Sequence, residues 1–251
     1  MKQINFFILI LFISTANAQQ KDESLLISYT GQFNSLFGRG EEFRPYQAWL
    51  HIKGDQSLFT MKPLHSNAEQ NNMMTVDLPI DSLFTVYKDM ESNSLLFEFM
   101  DLDQRSHFYA DTLYPMNWVI TNEKKNINGV DCIKAVTLFK GREYIAWYDS
   151  LVQIPNGPWK LGGLPGLILE AYDKDQNWHV VANNIDNQAD IDFSFHRSLM
   201  NKPIKGYAAY SADIKKIFSA IEGMMAAQQT GDCLTCETKS TLKINTWEPI
   251  Y

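Results

Sequence analysis

The chain is poor in the residue patterns that usually announce chemistry. Its five histidines, His51, His65, His107, His179 and His196, are scattered, with no two at ligand spacing. A zinc site needs several converging donors, so the sequence gives no sign of one. No G-x-S-x-G elbow is present to support a hydrolase of that kind. No basic stripe exists, and 22 Lys and Arg against 29 Asp and Glu leave a formal charge of −7. Nucleic acid is therefore a poor candidate partner. No internal repeat stands out. After the N-terminus no stretch is long and apolar enough to span a membrane. Asp173, Asp175 and Asn177 imitate the start of a calcium loop. Trp178 then stands where that loop needs glycine, and Asn184 where it needs glutamate, so a polar turn is expected instead.

What is present begins with an export pattern. Lys2, the apolar run 4–13 and Ala16-Asn17-Ala18 read as a signal peptide over residues 1–18. The run is too short for a spanning helix, and no cysteine follows the cleavage point to carry a lipid. The expectation is an exported, periplasmic or secreted chain that does not span the membrane. Residues 19–251 are expected to form a single β-rich domain.

Strand signals follow one another in hairpin order. They fall at 23–33, 45–53, 57–61, 95–100, 107–109, 118–121, 130–139, 144–148, 167–172 and 178–182. Residues 79–89 suit a helix or a strand. Asn128-Gly129 and Lys140-Gly141 mark tight turns. Ile214, Ile217, Phe218, Ile221 and Met225 recur at helical spacing, with Ser211 placed to cap and Asp213 in the first turn. The helical segment is read as 205–226, followed by a polar tail, 227–251. The fold class expected is mainly β, a curved antiparallel sheet or half-open barrel with a C-terminal helix. Several strands carry apolar residues on both faces. Ile145 and Trp147 oppose Tyr144, Ala146 and Tyr148, for example, where a sheet with one wet face would alternate. Each face should therefore meet something apolar: the helix, a loop such as 149–166, the sheet's own curvature, or a ligand.

The densest local signal is the stretch 156–170, where Pro158 and Pro165 stand among Gly157, Gly162, Gly163 and Gly166. Pro165-Gly166 predicts a type II turn, with positive φ at the glycine. Gly162 and Gly163 leave room for close backbone or ligand approach. Leu167, Leu169 and Ala171 are expected on one face of the strand that follows, with Ile168, Glu170 and Tyr172 on the other. The hexad from Gly163 to Ile168, G-L-P-G-L-I, resembles the motif of the GLPGLI family of exported Bacteroidetes proteins. Gly141-Arg142, Ala146-Trp147-Tyr148, Ile154-Pro155 and Gly157-Pro158-Trp159 stand in the order that family shows, and Trp118 and Cys132 fit upstream. The resemblance covers roughly residues 118–172. It implies export and, by analogy with periplasmic lipoprotein carriers, a curved sheet around an apolar concavity. Arg142, Gly163, Pro165 and Gly166 are then its structural motif.

Two function classes follow. The first is a non-enzymatic binding or carrier-like protein that holds a small apolar ligand or an envelope protein, with Trp147, Trp159, Leu164, Leu167 and Leu169 lining the concavity. The second rests on Cys233 and Cys236. Two cysteines so close in an exported chain are expected to form a disulfide. Reduced, and with Met224 and Met225 nearby, they could instead hold copper, since thiolate and thioether suit Cu(I). Cys132, mid-strand on an apolar face, is expected as a buried thiol, with pairing to the tail as the alternative. Arg142 is expected at the surface or paired with Glu170 or another carboxylate.

Overall fold

The computed structural model describes residues 24–34, 43–64, 84–100, 105–187 and 203–229; for residues 100, 218, 221, 222 and 224–229 it describes the backbone alone. The export pattern, Cys233, Cys236 and the side chains of Met224 and Met225 lie outside that description.

Among the described residues twelve strands share one sheet. In chain order they are β1 (Ser24–Asn34), β2 (Phe43–Lys53), β3 (Gln56–Pro63), β4 (Phe84–Asp89), β5 (Ser94–Met100) and β6 (Ser106–Thr112). Then come β7 (Val119–Ile127), β8 (Val130–Phe139), β9 (Arg142–Asp149), β10 (Leu167–Asp173), β11 (Trp178–Asp186) and β12 (Ile204–Gly206). Among the described residues one helix, α1 (Tyr207–Gln229), follows. The order across the sheet is β12-β6-β5-β4-β3-β2-β1-β11-β10-β9-β8-β7. It is two meanders, β1 to β6 and β7 to β11, joined where β1 pairs with β11. Every pairing is antiparallel except that of β12 with β6.

The hairpins sit where the sequence puts turn residues. Asn128 and Gly129 both have positive φ, as do Lys140 and Gly141. That is what the tight turn between two right-twisted strands requires. The ambiguous segment 79–89 contributes β4. There Val86 pairs with Phe59 on one side and Phe97 on the other, so neighbouring strands decide what local preference left open.

The sheet is open, and it is curled. Seven strand steps separate β5 from β9, roughly 34 Å if the sheet were flat. Yet adjacent residues of one loop touch both. The Lys160 ammonium lies 3.5 Å from the centre of the Phe97 ring on β5, and the Trp159 ring lies 5.8 Å from Tyr144 on β9. The two ends of the roll meet through side chains. Lys140, in the β8–β9 turn, pairs with Asp111 of β6 at 3.2 Å, and its ammonium sits 3.6 Å from the centre of the Tyr207 ring of α1. The curved sheet, half-open barrel form and C-terminal helix expected from the sequence are therefore observed.

Three local expectations fail. The helix begins at Tyr207, so Ser211 lies within it and does not cap it. The helix also runs to Gln229, beyond the point where a polar tail was expected. Contacts of the first two turns hold the early start in place of a Ser211 cap: Tyr210 packs edge-on against Phe97 at 4.8 Å, and Asp213 takes bonds from Lys205 and Tyr109. On β10 a register shift between Ile168 and Glu170 breaks the alternation. Ile168 pairs with Tyr148 and Glu170 with the next residue, Trp147, so Ile168 and Glu170 face opposite sides.

The third failure is the turn at Pro165-Gly166. Gly166 does not have positive φ; Gly163 does, at +82°. Gly166 N–H bonds back to Leu164 O at 2.8 Å, closing a three-residue turn around Pro165. Gly166 is needed for space. A Cβ there would fall on the Asp149 carbonyl oxygen and stand 2.8 Å from the Tyr148 ring. Arg142 takes one of the expected options, a carboxylate other than Glu170. Its Nη1 donates to Asp173 Oδ2 at 3.0 Å.

Candidate functional site: a loop seated in the hollow of the sheet

Alternation along the strands sends one set of side chains to the inner face. Cross-strand register then lines them up in rows. One row runs Ile27, Leu50, Phe59, Val86, Phe97 and Tyr109. All six are buried. The next row runs Leu25, Ile52, Ser57, Lys88, Leu95 and Asp111. The inner face is therefore a wide apolar hollow interrupted by Ser57 and Lys88.

Residues 156–164 occupy that hollow. Trp159, Leu161 and Leu164 are buried there. The Trp159 ring meets Phe139, Tyr144 and Trp178 at centroid distances of 6.2, 5.8 and 5.7 Å. Its backbone has φ of +53°, a conformation that costs a bulky residue about 1–2 kcal/mol. Aromatic packing on three sides holds it there.

Polar bonds fasten the loop at both walls. Lys88 Nζ donates to Gly157 O at 2.8 Å and to Leu161 O at 2.9 Å. Trp118 Nε1 donates to Gly162 O at 2.8 Å. Within the loop, Gly163 N–H bonds to Pro155 O at 3.0 Å, and Ile168 N–H bonds to Asn156 O at 3.0 Å. Gly157 lies so close to Ile168 that a Cβ would stand 2.8 Å from that side chain.

Two lysines are buried under this loop. Lys88 has no exposed surface, and burial lowers its pKa to about 7. Its partners are neutral carbonyls, and among the described residues no carboxylate comes within ion-pair distance of it. Lys160 is also buried, its ammonium among the rings of Phe97, Trp159 and Tyr210. Ser57, directly opposite Lys88, has a buried Oγ with no hydrogen-bond partner.

The residues expected to line a concavity separate into groups. Trp159 and Leu164 come together inside the hollow, as part of the segment that fills it. Leu167 and Leu169 are buried at the start of β10. Trp147 lies on the opposite face of the sheet, beside Glu170. Sequence reasoning missed Lys88, Lys160 and Ser57. One signal was readable: Lys88 shares strand parity with Phe84 and Val86, which places a lysine on the apolar side of β4.

The outer face carries a second polar group. Lys125 Nζ donates to Glu170 Oε2, and His179 Nε2 lies 2.9 Å from Glu170 Oε1. Burial pushes the Glu170 pKa up, but the hydrogen bonds from His179 and Lys125 and their charge outweigh it, and the carboxyl is held below its ordinary range. The ammonium groups of Lys125 and Lys134 lie 5.6 and 5.9 Å from the Trp147 ring centre. Cys132 is a free, buried thiol whose pKa is pushed up to about 12 by burial, then by Asp149, Glu170 and Asp131. A thiol held protonated in this way is a poor nucleophile. Among the described residues no group of three or more His, Cys, Asp or Glu is placed to hold a metal ion.

No family model matches the chain, and no curated protein matches it. Among solved structures, two described as "Structure of PNGF-II", in C2 and P21 space groups, are each similar with a TM-score of 0.49 and 18% identity, over 77% of this chain and 33% of theirs. The chain thus spans about a third of the length of those structures. A likeness at that level carries no argument about activity.

Proposed function

We propose that this chain is an exported, GLPGLI-type binding or carrier-like protein, without catalytic activity, that takes up a small apolar ligand on the inner face of its sheet. The observation that carries the reading is the seating of residues 156–164. A segment presenting Trp159, Leu161 and Leu164 lies in an apolar hollow, fastened by a few bonds to backbone carbonyls. It occupies the place an apolar ligand would take. Burying side chains of that kind is worth about 1.5–3 kcal/mol each, so a ligand of comparable apolar area can compete for the same surface. Prolines at 155, 158 and 165 restrict the displaced segment and reduce the entropy it regains.

Titration with N-phenyl-1-naphthylamine tests this. Saturable uptake at one probe per chain is expected, with faster amide hydrogen exchange over residues 156–166 in the occupied protein. No saturable uptake, or uptake with the loop amides equally protected, overturns it.

The export pattern predicts that chain isolated from cells begins near residue 19; N-terminal sequencing that finds Lys2 retained would remove that part of the reading. A copper-handling role for Cys233 and Cys236 rests on their spacing alone. It requires tight Cu(I) binding by reduced protein that Cys233→Ser abolishes.

A further inference from the structure

The polar interruption of the inner face points to the head group of the ligand. Ser57 and Lys88 stand directly opposite one another on β3 and β4, and neither has exposed surface. Apolar residues flank them along their row, Ile52 beyond Ser57 and Leu95 beyond Lys88. The neighbouring row is apolar through Phe59, Val86 and Phe97. In a wall otherwise built for hydrocarbon, one amine and one hydroxyl are adjacent.

Neither group is fully served. The Ser57 hydroxyl has no hydrogen-bond partner, and leaving such a group unpaired in the interior costs about 1–3 kcal/mol. An ammonium has three donors, and Lys88 uses two, on carbonyl oxygens that carry no formal charge. The other charged groups of this region are already engaged or point elsewhere. Asp111, further along the row, takes Lys140 and the Tyr114 hydroxyl. Lys160, on the loop above, is a second cation with its ammonium over Phe97. What the pair lacks is an anionic acceptor with more than one oxygen.

We propose that Ser57 and Lys88 form a head-group site for a carboxylate carried on an apolar tail, occupied when residues 156–164 leave the hollow. The inference rests on the binding function proposed above and names its ligand class. The carboxylate takes the place of Gly157 O and Leu161 O on Lys88. One of its two oxygens also accepts from the Ser57 hydroxyl through a second lone pair, and its charge balances the buried ammonium. The tail lies along the row from Phe59 to Phe97, which the departing loop, with Lys160 over Phe97, leaves uncovered.

The test compares dodecanoate with dodecanol, each below its aggregation range, by calorimetry on the full chain. Wild-type protein should prefer dodecanoate by about tenfold or more, the scale of one charge-assisted bond pair. Lys88→Met should lose that preference and still bind dodecanol, and Ser57→Ala should reduce the preference severalfold. Should Lys88→Met fail to fold by circular dichroism, Lys88→Gln and Ser57→Ala carry the comparison. Equal affinity for the two probes in wild type, or a preference that survives substitution at both positions, overturns the head-group site and leaves the apolar site standing. Binding of neither probe overturns both.

Discussion

Arg142 Nη1 and Asp173 Oδ2 are 3.0 Å apart, at the ends of neighbouring strands β9 and β10. The Asp173 side chain is completely buried, and the same carboxylate accepts the Trp178 N–H at 2.7 Å and the Asn177 amide at 3.3 Å. It thus holds the turn into β11, and Arg142 neutralises it. Arg142→Leu leaves that carboxylate buried without this guanidinium and should cost about 3 kcal/mol. Urea denaturation measures it. Lys134→Ala, which breaks the solvent-exposed pair with Glu123, is the control and should change little.

Lys88 makes stability depend on pH in a stated direction. Burial lowers its pKa to about 7 from an ordinary 10.5. Between those values the unfolded chain binds more protons than the folded one. Stability should therefore rise with pH across that window, at no more than about 1.4 kcal/mol per pH unit, and this contribution should be flat below it. Lys88→Met should remove the rise. Denaturation midpoints of both proteins from pH 6 to pH 10 check it, and a wild-type stability that falls across the window would contradict it.

Gly166 and Gly163 should respond differently to alanine, because different constraints select them. At Gly166 the added carbon meets the backbone of Asp149, which cannot yield without moving β9. At Gly163 nothing lies within 4 Å, and only the φ of +82° opposes a side chain. Gly166→Ala should cost over about 2 kcal/mol and Gly163→Ala about 1 kcal/mol. Thermal unfolding of the two variants gives the order.

Cys132 should be inert in the folded protein. It is buried, and its pKa is pushed up to about 12. A neutral-pH thiol reagent should label it only after denaturant is added. Digestion and mass mapping distinguish it from Cys233 and Cys236. Rapid labelling of Cys132 under native conditions would mean that β8 opens.

The strands were legible because alternation and turn residues are local. Val130–Phe139 was bounded in full by Asn128-Gly129 before it and Lys140-Gly141 after it. Other features were hidden because they depend on what lies across the sheet. The switch of faces between Ile168 and Glu170 follows from the register of β10 on β9, which no local pattern announces. Gly166 looked like a turn glycine and is a contact glycine. Lys88 was unreadable as a fastener, because its partners Gly157 and Leu161 are backbone carbonyls 69 and 73 residues away. The double-faced apolar strands did indicate that something covers the inner face. The loop 149–166 was among the covers the sequence offered; which of them fills the hollow depends on contacts between distant strands.

The pairing of β1 with β11 also sets a schedule. Tyr29 and Ala182 are partners in the ladder, and the Tyr29 hydroxyl bonds Ile168 O, 139 residues later. A nascent chain emerging from the ribosome can build the first meander early, but the free margin of β1 must wait for β11 before it is covered. Until then it is a sticky flank open to other molecules. Closing so distant a contact is slow. The interval before β11 arrives is therefore the stage at which association through that strand is expected.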